Sequence, residues 1–278
     1  MGIVNWNVCS RALSRAAVGC DVMIVDPPYS EKVHTKATST RTGGVGVRTR
    51  DFGFRHRSPE LMLRLAEYAS QVRRWSVVFS DVESSHLWRA AMALHRVEYV
   101  RSVPWVRWSQ PQVTGDRPPT GAELIIIFHA HRPKGFGKMH WSGSGGRVAY
   151  AEKCLRGKDK FSCEKPLDLM LSLVSDFSDV GETVFDPCMG SGTTAQACQL
   201  LDREVLGVEA LRPAYLLAEE RLRTEISKRN RERAERWVVE TVEEARTVPA
   251  PKGRHDIRTY ERAQRRISDA TRVVEKLQ

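Results

Sequence analysis

Long apolar runs are missing from this 278-residue chain. Stretches such as Leu124 to Phe128 fall far short of the roughly 20 residues that span a bilayer. Acidic and polar residues arrive too early for a secretory h-region, so a cytoplasmic location is expected, away from membranes. Cysteine is sparse and unpatterned: Cys9, Cys20, Cys154, Cys163, Cys188 and Cys198 form no CxxC pair and have no His-rich neighbourhood. That argues against a zinc site or a disulfide framework, and no metal is expected. Acidic residues are the minority charge, 34 against 44 Lys and Arg, leaving a formal net charge of +10. Such a balance suits a polyanionic partner, because neutralising phosphates releases condensed counterions. By itself it equally fits a protein with a basic tail. Hydrophobic residues, at 41%, suffice for a core and exclude wholesale disorder.

The chain alternates strand and helix signals. Val22 to Val25 is a buried-strand run stopped by two prolines. Residues 30 to 57, rich in Gly, Thr and Arg, read as a mobile loop. Ser58-Pro59 has the form of an N-cap followed by a first-turn proline, and Leu61, Leu65, Tyr68 and Val72 continue one helical face. Ser76 to Phe79 is a second buried strand, and Asp81 is placed to cap a helix from about Val82 to His95. Val97 to Trp108 and Glu123 to His129 are expected to pair as a hairpin at a sheet edge.

Residues 131 to 164 change character, with eight Lys or Arg against three acids and no long periodic run. Regular structure returns with a helix at 166 to 177, a strand at Thr183 to Phe185, a turn at Gly190 to Thr194 and a helix to about Leu201. A strand over Glu204 to Val208 follows, then a helix from near Pro213. Such alternation argues for an α/β fold with a doubly wound, mostly parallel sheet. From Glu219 onwards charge dominates, and the tail reads as a solvated helical hairpin or oligomer arm, with nucleic-acid contact as the rival.

One chemistry-bearing segment is the glycine turn Phe185-Asp186-Pro187-Cys188-Met189-Gly190-Ser191-Gly192-Thr193-Thr194. Its glycines permit a tight turn and close backbone approach, and the helix N-terminus beyond presents free N–H groups to a polar ligand. Glu209, closing the next strand, could accept both hydroxyls of a ribose. This is a nucleoside-binding arrangement. Gly190-x-Gly192-x-x-Ala195 also satisfies the dinucleotide fingerprint, so a nicotinamide enzyme stays open. A P-loop does not, since no Lys follows the last glycine. Pro187-Cys188 raises cytosine C5 methylation, but a cysteine inside the ligand turn is better read as a small packing residue.

Asp26-Pro27-Pro28-Tyr29, at the end of the first buried strand, is the sharper signal; its bland alternative is a Pro-Pro turn with an aromatic lid. An exocyclic amine on adenine is a poor nucleophile because its lone pair is delocalised into the ring. The Asp26 carboxylate and the Pro27 carbonyl, held by rigid prolines, could accept its two N–H bonds and favour a pyramidal nitrogen. Tyr29 could stack on a base removed from the helix.

With this tetrad, the glycine turn and Glu164-Lys165-Pro166 in that order, the sequence resembles the β-group amino-methyltransferases, S-adenosylmethionine-dependent DNA enzymes. It looks most like the small adenine-N6 members carried by phages and prophages, some of them parts of restriction-modification systems. The resemblance covers about residues 1 to 225. It implies a Rossmann-like methyltransferase domain: 1–130 as catalytic half, 131–164 as a short target-recognition insertion, 165–225 as cofactor-binding half and 226–278 as a charged helical tail. It further implies that Asp186 to Thr194 wrap the methionine part of S-adenosylmethionine, Glu209 binds its ribose, and Lys165 and Pro166 flank its other end. Asp26, where cytosine-N4 enzymes usually carry Ser, tilts the base towards adenine. Two departures stand out: Cys188 replaces the usual Phe, and Asn7-Val8-Cys9 replaces the usual Gly-Asp.

Lys32, Lys36, Arg41, Arg48, Arg50, Arg55 and Arg57, against only Glu31 and Asp51, make the 30–57 loop a candidate for phosphate contacts with duplex DNA. A merely solvated loop is the alternative. Trp141 and His140 are candidate stacking or wedge residues, with burial of the tryptophan equally open. The short insertion predicts a short or relaxed recognition sequence. Cytosine-N4 methylation, a nicotinamide enzyme and a non-catalytic DNA-binding protein remain as rivals, RNA stays open as acceptor, and a homodimer is compatible with the family.

Overall fold

The computed structural model describes residues 2–5, 7, 11–29, 38–40, 47–49, 57–107, 121–130, 141, 149–152 and 164–278. The strands are β1 (Gly2–Asn5), β2 (Val22–Val25), β3 (Thr38–Thr40), β4 (Val47–Thr49), β5 (Trp75–Ser80), β6 (Val97–Arg107), β7 (Ala122–Ala130), β8 (Tyr150–Glu152), β9 (Thr183–Asp186) and β10 (Glu204–Glu209). The helices are α1 (Arg11–Ala17), α2 (Pro59–Gln71), α3 (Ser85–Leu94), α4 (Leu167–Phe177), α5 (Thr193–Leu200), α6 (Arg212–Arg223), α7 (Lys228–Arg246) and α8 (Arg254–Leu277). None of the described helices is long and apolar enough to cross a membrane.

Eight strands form one sheet in the order β1-β10-β9-β2-β5-β7-β6-β8. The first five run parallel, and β7 runs antiparallel to both β5 and β6. The alternation of side chains along each strand divides the core into two layers. Val22, Ile24, Val77, Phe79, Ile125 and Ile127 face one layer, and Met23, Val25, Val78, Ile126 and Phe128 face the other. Both faces are covered, which is why the central strands read as unbroken apolar runs. The expected doubly wound, mostly parallel architecture is therefore present.

Local signals explain the boundaries. Ser58 accepts the Leu61 N–H at 3.2 Å and Pro59 occupies the first turn of α2. Asp81 accepts the Ser84 N–H at 2.7 Å, but this cap opens a 3-10 turn over Val82–Ser84 before α3 begins. The 30–57 segment, expected as loop throughout, carries a small antiparallel ladder in which Thr38, Ser39 and Thr40 face Thr49, Arg48 and Val47. Its β-branched residues suit a strand, and three-residue strands are too short to show a period. Within the expected insertion, Tyr150–Glu152 pairs in parallel with the outer edge of β6, so the β6–β7 hairpin does not end the sheet.

The tail corrects the sequence reading most. It is a helical hairpin as expected and exposed on its outer face, but its inner face is not solvated: α7 and α8 lie against α4 and α5, burying Ala234, Trp237, Ala270, Val273 and Leu277 in one core layer. Charged residues anchor it. Arg203 meets Asp269 at 2.7 Å with both side chains fully buried, Arg233 meets Asp168 at 2.8 Å, and Trp237 Nε1 donates to Ser172 at 3.0 Å. The high charge content hid an apolar stripe, because a helix needs only one face for the core.

Candidate active site

β10, β9 and β2 are neighbours, and each ends at its carboxyl edge on an acid: Glu209, Asp186 and Asp26. In open α/β sheets ligands bind beyond these edges. Asp186 is 3% exposed, and its Oδ1 accepts the Cys188 N–H at 3.1 Å. Burial pushes its carboxyl up to about 7, opposed by hydrogen bonds from Thr194 and Cys188 and reinforced by the Asp26 and Glu209 charges. Glu209 receives the Gly190 N–H at 2.8 Å and the Leu211 N–H at 2.7 Å. Burial also raises its carboxyl, against those backbone bonds.

The two glycines of the turn do different work. Gly190, at φ +56°, carries the chain through the left-handed region beside Glu209. Gly192, at φ +82°, packs so closely on α6 that a Cβ would lie 2.8 Å from Ala218 Cβ. Its smallness serves helix packing as well as the turn. Pro187, Met189, Ser191, Thr193 and Thr194 are buried, and Met189 lies against Gly207. Cys188 packs against the second core layer, in keeping with a packing role.

Around the tetrad the structure gathers a charge cluster. Pro27 is buried, Pro28 and Tyr29 are half-buried, and the Arg57 N–H donates to the Tyr29 carbonyl at 3.0 Å. Lys165 Nζ meets Asp26 Oδ2 at 2.7 Å and Glu123 Oε2 at 3.3 Å, and donates to the Tyr29 hydroxyl at 3.3 Å. The Tyr29 hydroxyl in turn donates to Glu123. The ammonium lies over the rings of Phe79 (4.9 Å), Tyr29 (5.3 Å) and Trp105 (5.4 Å), a cage that restricts and partly dehydrates it. Asp26 Oδ1 is shut off from solvent and has no hydrogen-bond partner among the described residues. Burial pushes the Asp26 carboxyl up, Lys165 pulls it down, and Glu123 pushes it up again.

A second network joins this cluster to the glycine turn. Arg221, from α6, donates to Thr193 at 2.8 Å and pairs with Glu164 at 2.7 Å, and Ser191 donates to Glu164 at 3.2 Å. Glu164 and Lys165, adjacent in sequence, thus reach the two halves of the site. Pro166 is buried at the start of α4. Sequence reasoning missed Glu123 and Arg221. Glu123 lies in an apolar strand run, and Arg221 is one of many charges on α6.

Two candidate DNA contacts fall elsewhere. Arg57 is 8% exposed, donates to Ser84 at 2.8 Å, stands 4.0 Å from Asp81 and lies over Trp88. A guanidinium so enclosed is occupied in fixing the neck of the 30–57 segment, which corrects its reading as a phosphate contact. Trp141 is half-buried and packs edge-on against Phe177 (4.9 Å) and Trp75 (6.2 Å) at the margin of the core, which favours the packing alternative over a wedge. Lys32, Lys36, Arg41, Arg50, Arg55 and His140 lie outside the described residues, as does the side chain of Arg48.

A doubly wound sheet with a glycine turn and a carboxylate-centred cluster at neighbouring strand ends defines a methyltransferase-like protein. The chain belongs to the N6_N4 DNA methylase family, whose profile matches residues 20–220. Among solved structures it is similar to M1.HpyAVI in complex with SAM, with TM-score 0.59 and 20% identity over 80% of this chain and 98% of the other. It is also similar to PvuII DNA methyltransferase, a cytosine-N4-specific enzyme, with TM-score 0.54 and 10% identity over 85% and 90% of the two chains. At these identities the likeness concerns the fold. No curated protein matches the chain.

Proposed function

We propose that this DNA methylase is a β-group, adenine-N6 enzyme that uses S-adenosylmethionine. The observation that carries the reading is Asp26: its side chain stays 29% exposed just beyond the end of β2, held there by Lys165 at 2.7 Å and next to Tyr29.

The residues at the other strand ends fit the cofactor. Asp186 and Glu209, with Asp26 beyond them, bring three carboxyl groups to one edge of the sheet, and Gly190 keeps the turn free of a side chain. Asp186 to Thr194 would hold the methionine part and Glu209 the ribose. When bound, S-adenosylmethionine supplies an electrophilic methyl group on a sulfonium.

Asp26 and the Pro27 carbonyl would accept the two N–H bonds of the exocyclic amine, turning its lone pair out of conjugation. Tyr29, its hydroxyl tied to Glu123, would present its ring to a base rotated out of the duplex. Asp26 and Glu123 bring two carboxyl groups, both in contact with Lys165, to the place where the amine becomes positive. Orientation and these carboxyl groups would favour in-line transfer, and the extra proton of the methylated amine would pass to Asp26 and on to water. The basic residues of 32–55 remain the proposed phosphate contacts, and a short or relaxed recognition sequence is expected.

A specific observation keeps cytosine-N4 methylation as the second reading: the PvuII enzyme shares the fold, and Asp26 can accept from either exocyclic amine. Labelled S-adenosylmethionine with unmethylated DNA, followed by digestion and nucleoside mass spectrometry, separates the two. N6-methyldeoxyadenosine is expected; N4-methyldeoxycytidine would transfer the reading to the second base.

A further inference from the structure

The family resemblance assigns Lys165 to the far end of the cofactor, yet its ammonium is spent on the tetrad. It contacts Asp26, Glu123 and Tyr29 and sits among three aromatic rings, while its side chain is only 10% exposed. The neighbouring Glu164 is fastened separately, to Arg221 and Ser191 beside the glycine turn. We propose that Lys165 is a positioning residue that pins Asp26 Oδ2 and so fixes the orientation of the carboxylate that meets the acceptor amine, and that it does not hold the cofactor. The inference rests on the proposed amine-methylating role of Asp26.

The physical case is geometric. A carboxylate on a short side chain rotates, and an acceptor must be aligned with an N–H to be useful. One ammonium contact at 2.7 Å stops that rotation. The aromatic cage stops the lysine from following solvent, and the Glu164–Arg221 pair fixes the backbone from which it extends. Glu123 completes the arrangement by holding both the lysine and the Tyr29 hydroxyl.

The test uses the full chain with Lys165→Met and Lys165→Arg. For Lys165→Met, single-turnover methyl transfer should fall about 10²-fold, the scale on which small misplacements act, while the Kd for S-adenosylmethionine measured by calorimetry stays unchanged. Lys165→Arg keeps a cation and should recover much of the rate. A third readout needs no turnover: the Asp26 carboxyl, titrated by NMR in the unloaded protein. Among the described residues, the titratable groups facing it are Lys165 ahead of α4, Glu123 on β7, the Tyr29 hydroxyl and Asp186 at the end of β9. Removing this cation should raise the Asp26 titration midpoint in Lys165→Met and leave it in place in Lys165→Arg. Should the methionine variant not fold, Lys165→Gln, equally uncharged, must show the same rise. A Kd that weakens in step with the rate would return Lys165 to the cofactor and overturn the proposal, as would an unmoved Asp26 titration. If the wild-type chain methylates no base, the proposed function fails, and the titration alone decides whether Lys165 governs Asp26.

Discussion

Two aspartates, Asp26 and Asp269, each meet a cation, and they differ in what is left over. Asp269 is fully buried, and both its oxygens are engaged: Oδ1 by Arg203 at 2.7 Å, Oδ2 by Arg203 at 3.0 Å and by Ser175 at 2.7 Å. Asp26 gives one oxygen to a lysine and keeps the other without a partner among the described residues. Arginine's fork saturates a carboxylate, whereas a lysine engages it at one point. The first arrangement locks α8 to the sheet; the second leaves an acceptor at a strand end. Asp269 is sealed inside a structural pair, whereas Asp26 stays 29% exposed at the edge where a substrate can reach it.

That contrast can be broken from either side. Asp26→Ala should lower methyl transfer about 10²–10³-fold, the cost of removing one preorganised polar group, and leave S-adenosylmethionine binding in place. Single-turnover rates and calorimetry check it. Asp269→Ala should do the reverse: a loss of about 3–5 kcal/mol in denaturant unfolding, because Arg203 is left charged and buried, with turnover per folded molecule preserved. Equal damage to activity and stability by both substitutions would erase the distinction.

Smaller effects sharpen it. Gly192→Ala places a Cβ 2.8 Å from Ala218 at a positive φ, so a loss of about 1–3 kcal/mol in unfolding free energy is expected. Asp186 supplies a pH signature. Burial raises its folded-state carboxyl from 3.8 to about 7, so its contribution to stability is fully present below pH 3.8 and is lost as pH rises through about 7. Wild type should therefore lose stability relative to Asp186→Asn between pH 5 and pH 8 in thermal melts. Because the cofactor carries a sulfonium, its affinity for wild type should rise over the same interval.

Much of the fold was legible because local rules and global packing agree. The apolar run Val22–Val25 ends at Pro27 for the reason the sequence suggests, and Ser58 and Asp81 cap the turns they precede. The tail was misread because composition counts every face of a helix, whereas Trp237 and Val273 need only one. The paired acids of the site were visible from strand ends. Lys165 was visible as a residue, but its direction was not, since only the fold brings Glu123, on β7, beside Asp26, on β2's edge. Arg57 shows the same limit in reverse: among basic residues in a loop, sequence offers no sign of which one turns inward to Trp88.

The central claim is that Asp26 accepts the amine that becomes methylated. The most direct test is to incubate wild type and Asp26→Ala, both shown to bind the cofactor, with unmethylated DNA and labelled S-adenosylmethionine, and identify the nucleosides by mass spectrometry. N6-methyldeoxyadenosine from wild type, and at most a trace from the variant, is the predicted result. An undiminished yield from Asp26→Ala would contradict the account.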